Sequence, residues 1–154
     1  MKLNLECATS QIQNGYINTS IQPIDGVENV VLCDYKNIDN ICGDDDAEEI
    51  IVNPPLNVLL PTDLVQVLQH WGKKLNSEGV LKISFFDIRV IGKLIAEGTT
   101  DLQKTHMMIL GPQNEFSSIL DLPTLKKAAQ AVKLNINGVR FPTQAQVSVE
   151  LTKL

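Results

Sequence analysis

Glu49-Ile50-Ile51-Val52, breaking at Asn53-Pro54-Pro55, opens the stretch that decides the fold, and Val80-Leu81-Lys82-Ile83-Ser84-Phe85-Phe86, ending at Asp87, closes it. A helical segment and the turn Asn76-Ser77-Glu78-Gly79 lie between them. Two apolar runs of strand length around a helix of about a dozen residues read as a βαβ unit. Such a unit implies a parallel sheet buried on both faces. The helix is expected to start with Thr62 as N-cap and Asp63 in the first turn, where negative charge suits the helix dipole. Leu64, Leu68, Trp71 and Leu75 form one apolar stripe, and Lys73 and Lys74 suit its last turn. Gly72 costs this helix about 1 kcal/mol relative to alanine, which the stripe should absorb.

Working outward toward the N-terminus, residues 1–7, 15–21 and 30–35 read as three strands, the first two joined by a link too short for an ordinary helix. Toward the C-terminus, Asp87 should cap a helix carrying Ile88, Ile91 and Ile95 on one face, with Gly98 as its stop. Residues 98–120 carry no clear period, and His106-Met107-Met108-Ile109-Leu110 before Gly111-Pro112 suggests a short helix and loop. Asp121 caps a further helix with Pro123 in its first turn and Leu122, Leu125, Ala129 and Val132 inward. Two strands, 138–142 and 146–154, close the chain, the second alternating Val147, Val149 and Leu151 with Ser148, Glu150 and Thr152.

A length of 154 residues, 44% hydrophobic and 20% charged, fits one globular domain over 1–154. The net charge of −5 and the lack of a Lys/Arg run argue against a nucleic-acid partner. Cys7, Cys33 and Cys42 match neither zinc-ligand nor disulfide spacing, and His106 has no metal-ligand neighbours, so no metal is expected. Leu3-Asn4-Leu5-Glu6 after Lys2 is not a signal-peptide core, and no apolar run approaches the ~20 residues of a membrane span. The expected location is the cytoplasm.

The string Trp71-Gly72-Lys73-Lys74-Leu75-Asn76-Ser77-Glu78-Gly79-Val80-Leu81-Lys82-Ile83 resembles the passage W-x-x-x-L-K-P-G-G-x-L-x-I of class I S-adenosylmethionine-dependent methyltransferases, and Phe86-Asp87-Ile88 is similar to the P-D-[LI] that follows it. The order of elements resembles that family over nearly the whole chain. A compact subset with a short link between the first two strands has L-N-L-G-C-G and then G-[YW]-[IV]-N-[VL]-D. Here Leu3-Asn4-Leu5-Glu6-Cys7-Ala8 is followed by Gly15-Tyr16-Ile17-Asn18-Thr19-Ser20. The resemblance implies an α/β three-layer Rossmann-like sandwich with a mostly parallel sheet and a C-terminal antiparallel hairpin.

It also implies a cofactor, S-adenosylmethionine, around Glu6, Cys7, Ala8, Ser20 and Asp34, with Asn53 and Pro54 as catalytic-site candidates at the carboxyl end of the fourth strand. The cofactor motifs are degenerate. Glu6 and Ala8 stand where the family has glycines, and a carboxylate at Glu6 is expected to repel the cofactor's own, so that Glu6→Gly should tighten binding. Ser20 replaces the acidic residue that accepts from both ribose hydroxyls, with Asp25 a nearby substitute. Asp34 or the acidic turn Asp44-Asp45-Asp46 would read the adenine amino group, although such a turn more commonly faces solvent. Asn53-Pro54-Pro55-Leu56 is similar to the [DNS]-P-P-[YFW] of amino-methyltransferases, but Leu56 offers no stacking face. The same region reads H-V-L-E-H in the compact subset, where Leu56-Asn57-Val58 stands here. His70 falls off the apolar stripe and reads as a surface residue.

Two functions follow. One is a small methyltransferase with an unusual cofactor loop and an unknown methyl acceptor. The other is a non-catalytic binding or assembly module that has lost the cofactor. The reduced helix after the first strand would leave a sheet face thinly covered, making a homodimer the expected assembly.

Overall fold

Leu3 and Leu5, Ile50 and Val52, and Leu81, Ile83 and Phe85 all turn to one buried side, as the two-residue period of an extended chain requires. In the computed structural model, which describes residues 1–154, these runs belong to a chain of seven strands and four helices. In chain order they are β1 (Lys2–Leu5), β2 (Ile17–Ser20), β3 (Val30–Leu32), β4 (Ala47–Val52), α1 (Leu64–Lys74), β5 (Leu75–Phe86), α2 (Ile88–Ala96), α3 (Leu102–Leu110), α4 (Leu122–Ala131), β6 (Leu134–Arg140) and β7 (Gln146–Lys153). One sheet in the order β3-β2-β1-β4-β5-β7-β6 holds all seven. The first five are parallel, and β7 runs antiparallel between β5 and β6.

The βαβ unit is present with altered ends. Thr62 is not the cap of α1: its hydroxyl donates to Asp63 Oδ1, and Asp63 takes the N-cap position without a side-chain bond of its own. Residues 76–79 are an irregularity within β5 rather than a separate turn. Pairing steps from Ala47 opposite Leu75 to Glu49 opposite Val80, so the extra residues loop out of register. Gly79 is required there, because a Cβ would fall 2.6 Å from the carbonyl oxygen of Ala47. The third strand stops at Leu32, short of Tyr35, and β6 begins at Leu134 and ends at Arg140, four residues earlier at its start than the glycine at 138 suggests.

Helices α1 and α4 bury Leu64, Leu68, Trp71, Leu125 and Ala129 in the core on one face of the sheet. The Trp71 indole N–H donates to Tyr35 O at 2.7 Å, tying the long β3–β4 connection to α1. The opposite face differs in kind. The register aligns Asn18, Asn4, Ile51, Lys82 and Glu150 in one row across β2, β1, β4, β5 and β7. Tyr16 Oη and Lys82 Nζ both bond Glu49 Oε1, at 2.8 and 2.9 Å, and Lys2 lies over the Tyr16 ring. Burial disfavours the Glu49 carboxylate, yet these two donors outweigh it and hold its carboxyl below the ordinary range. The third layer of the sandwich is thus reduced near β1 and β2 to the segment 8–16, with a single 3₁₀ turn at Thr9–Gln11. Beside β1 and β2 this face carries Asn4, Asn18 and Ser20, and β3 extends it with Val30 and the exposed Leu32.

At the amino end of the sheet the acidic turn is structural. Lys74, nearly buried, pairs with Asp39 at 2.6 Å and Asp44 at 2.7 Å, and Asp45 pairs with Lys153. This turn precedes β4 and lies at the end of the sheet away from the strands' carboxyl termini, which removes it as an adenine reader.

Candidate functional site

Ligands of open parallel sheets bind beyond the carboxyl ends of the strands, where the order reverses, here between β1 and β4. A cleft of about 510 Å³ lies there, within the ~300–1,000 Å³ usual for small-molecule sites. Six of the seven sequence-selected residues line it: Glu6, Cys7, Ala8, Ser20, Asn53 and Pro54. Gln11 and the loop 21–24 complete the wall. Asp34 is not part of it. Its side chain is exposed and accepts from Lys36 N at 2.9 Å, closing a turn after β3. Asp25 also lies outside the lining.

Glu6 leaves β1 with φ 51°, in the left-handed region that favours glycine. A residue other than glycine is strained in that conformation. Its side chain turns toward β2, and Oε2 accepts from Ile21 N at 2.8 Å. The backbone amides of this loop are committed: Glu6 N to Thr19 Oγ1, Cys7 N to Thr19 O, and Ala8 N to Gln11 Oε1. The Cys7 thiol is 3% exposed, donates to Thr19 O, and is pushed up by burial, which makes it an inert packing group rather than a nucleophile.

An amide relay fixes the floor of the cleft. Asn4, fully buried, donates from Nδ2 to Gln11 O and to Asn18 Oδ1, both at 2.7 Å. Asn53 Nδ2 donates to Asn4 Oδ1 at 2.9 Å and to Leu5 O at 2.8 Å. With both Nδ2 hydrogens held by β1, Asn53 Oδ1 points away from that strand and accepts nothing within the chain. The residues Asn4, Asn18 and Asn57 were not selected from the sequence, and each is buried and fully bonded.

Asn57 acts where the compact subset has its L-E-H. It accepts from Phe86 N at 2.7 Å, donates to Phe86 O and Ser118 O, and its own carbonyl takes the amides of Ser117 and Ser118. It therefore locks the end of β5 to the loop after β4. Leu56 is buried in the core and stacks on nothing in the cleft. Asp87 caps α2 through Arg89 N and Val90 N and accepts Leu122 N through Oδ2, joining the starts of α2 and α4. A second cleft of about 320 Å³ opens beside Phe86, walled by Met107, Met108, Pro112 and Ala145.

His70 is half-buried rather than a surface residue, and Nε2 accepts the Ile38 amide at 3.0 Å. Burial lowers its pKa below the ordinary imidazole value. No group of three or more His, Cys, Asp or Glu is placed to hold a metal, and no helix is long and apolar enough to cross a membrane.

The strand order, the terminal antiparallel hairpin and the cleft at the switch point define the fold as that of the class I S-adenosylmethionine-dependent methyltransferases. The solved structures it resembles include a protein of Pyrococcus horikoshii (TM-score 0.67, 12% identity, 99% of this chain and 81% of that one). A S-adenosylmethionine-dependent methyltransferase of Archaeoglobus fulgidus gives TM-score 0.67 at 12% identity, covering 99% of this chain and 85% of that one. The 1,6-didemethyltoxoflavin-N1-methyltransferase of Burkholderia thailandensis, with its substrate and S-adenosylhomocysteine bound, gives TM-score 0.64 at 13% identity, covering 99% and 70%. No protein-family profile and no curated protein matches the chain.

Proposed function

We propose that this chain is a small S-adenosylmethionine-dependent methyltransferase whose acceptor is a compact, largely apolar molecule. The observation that carries the reading is the cleft at the carboxyl ends of β1, β2 and β4, with Glu6 Oε1, Asn53 Oδ1 and Gln11 Nε2 uncommitted on its wall. An adenosyl cofactor fits this donor set. Gln11 Nε2 and the Ser20 hydroxyl can donate, and Glu6 and Asn53 accept. When bound, the cofactor supplies a methyl group activated on a sulfonium. The chain's own part is to bind, orient and exclude water. In-line positioning can supply most of such a rate, so no general base is needed. The second cleft lies two strand spacings from β1, about 10 Å, beside Phe86 and two methionines. It suits an apolar acceptor, and Asn53 Oδ1, at the end of β4 between the two, suits an acceptor N–H or O–H. The toxoflavin methyltransferase, similar in fold, holds 1,6-didemethyltoxoflavin together with S-adenosylhomocysteine.

One observation favours the second reading, a non-catalytic module: the amides of Glu6, Cys7 and Ala8 are all satisfied within the chain, leaving none free for the cofactor's carboxylate. Calorimetric titration with S-adenosylmethionine and S-adenosylhomocysteine separates the two. Saturable binding at micromolar level is expected. No heat at millimolar ligand overturns the methyltransferase reading in favour of the module.

A further inference from the structure

Glu6 places a carboxyl-bearing side chain in the candidate cofactor loop, but that carboxylate is turned toward β2. Oε2 is held 2.8 Å from Ile21 N, and Ile21 directly follows Ser20, the last residue of β2. The carboxylate thus lies at the end of β2, where this chain has a serine in place of an acid. Oε1 makes no hydrogen bond within the chain, and Glu6 and Ser20 line the same cleft. Ser20 Oγ accepts from Gln22 N at 3.3 Å, which leaves its O–H hydrogen to give. A free carboxylate oxygen and a hydroxyl donor at one strand end match a vicinal diol: one hydroxyl donates to Oε1, and the other accepts from Ser20.

The left-handed backbone at Glu6 points the same way. A strained conformation at a residue other than glycine persists where the surroundings hold it and where the side chain has a use. We propose that Glu6 supplies, from β1, the carboxylate that reads the ribose diol of an adenosyl ligand, with Ser20 as its partner. This rests on the cofactor reading above. It reverses the expected effect of Glu6→Gly, because the charge lies beside the sugar rather than beside the ligand's carboxylate.

Calorimetry with S-adenosylhomocysteine, 5′-methylthioadenosine and 2′-deoxy-5′-methylthioadenosine tests it on wild type, Glu6→Gly and Glu6→Gly/Ser20→Asp, each first checked for cooperative unfolding. Glu6→Gly suits the backbone at this position, so it should fold. Wild type should prefer the ribose ligand over the deoxy ligand. Glu6→Gly should weaken S-adenosylhomocysteine by about 10-fold or more, the usual scale of a charge-assisted hydrogen bond, and erase that preference. The double variant should recover both. A clamp between β1 and β2 with no ligand role would leave the ribose-to-deoxyribose ratio unchanged. Tightened or unchanged binding in Glu6→Gly, with wild type binding normally, overturns the assignment alone. No binding by wild type overturns the cofactor reading and the assignment with it.

Discussion

Asn4→Ala tests whether the amide relay builds the floor of the cleft. The substitution removes three hydrogen bonds from a fully buried position: two donated by Nδ2, to Gln11 O and Asn18 Oδ1, and one accepted from Asn53 Nδ2. Asn18 Oδ1 keeps Gln13 N, and Asn53 Nδ2 keeps Leu5 O, so only the Gln11 carbonyl loses its sole partner here. At about 1 kcal/mol net per bond the loss is about 3 kcal/mol. For a chain of this size that lowers Tm by about 6–12 °C. Urea unfolding followed by circular dichroism should show the midpoint falling with m unchanged. A double-mutant cycle with Asn18→Ala should be less than additive, because the two share a bond. A loss below about 1 kcal/mol, or strict additivity, refutes the relay as the support of segment 8–16.

Two further outcomes follow from single residues. Asp87→Ala frees the amides of Arg89, Val90 and Leu122 at once, so it should cost about 2–3 kcal/mol in urea unfolding, more than an ordinary cap. A loss of only a few tenths would show that α2 and α4 are not joined through it. His70 gives a pH signature. Burial holds its folded pKa below the ordinary 6.5, with Asp39 and Asp44 opposing that shift and Lys73 and Lys74 reinforcing it. Between the two values the unfolded chain binds the extra proton. The contribution is therefore complete above pH 6.5 and is lost as pH falls through the folded value. Asp39 and Asp44, held below the carboxylate range by Lys74, titrate lower still. The wild-type urea midpoint should drop from pH 7.5 to 5.5 more steeply than that of His70→Phe; parallel slopes would discard the burial of this imidazole as the cause.

The βαβ unit was legible because its signals are local. Leu64, Leu68 and Trp71 repeat at helical spacing, and Leu81, Ile83 and Phe85 at strand spacing, so each announces its own buried face. Caps such as Asp87 and Asp121 were legible for the same reason, since a cap lies within three residues of the first-turn amides of its own helix. What stayed hidden depends on partners distant in sequence. Asn4, Asn18 and Asn53 read singly as weak strand or turn residues, yet they bond one another across 14 and 49 positions. His70 took its partner from a loop 32 residues earlier, outside the period of its own helix. The start of β6 alternates Leu134 and Ile136 with Asn135 and Asn137, but asparagine is a poor strand former and the pairing is irregular between Ile136 and Gly138, which hides the strand in the sequence. At the site, six positions could be chosen from the resemblance, but the direction of the Glu6 side chain depends on Ile21 and needed the fold.

The position of β7 sets the order in which the sheet can be completed. Strand β7, made after β6, is inserted between β5 and β6, pairing along seven residues of β5. Until residues 146–153 are available, β5 presents an apolar strand with one open edge, bearing Leu81, Ile83 and Phe85, which the finished protein buries completely. Open edges of this kind template pairing between chains. The β1–β4 ladder adds pairs 47 residues apart in sequence, such as Leu3 with Ile50, and non-local pairing of this kind slows closure of the sheet. A nascent chain, or one that lacks residues 146–153, therefore carries its aggregation hazard at β5, and β7 acts as the stopper that removes it.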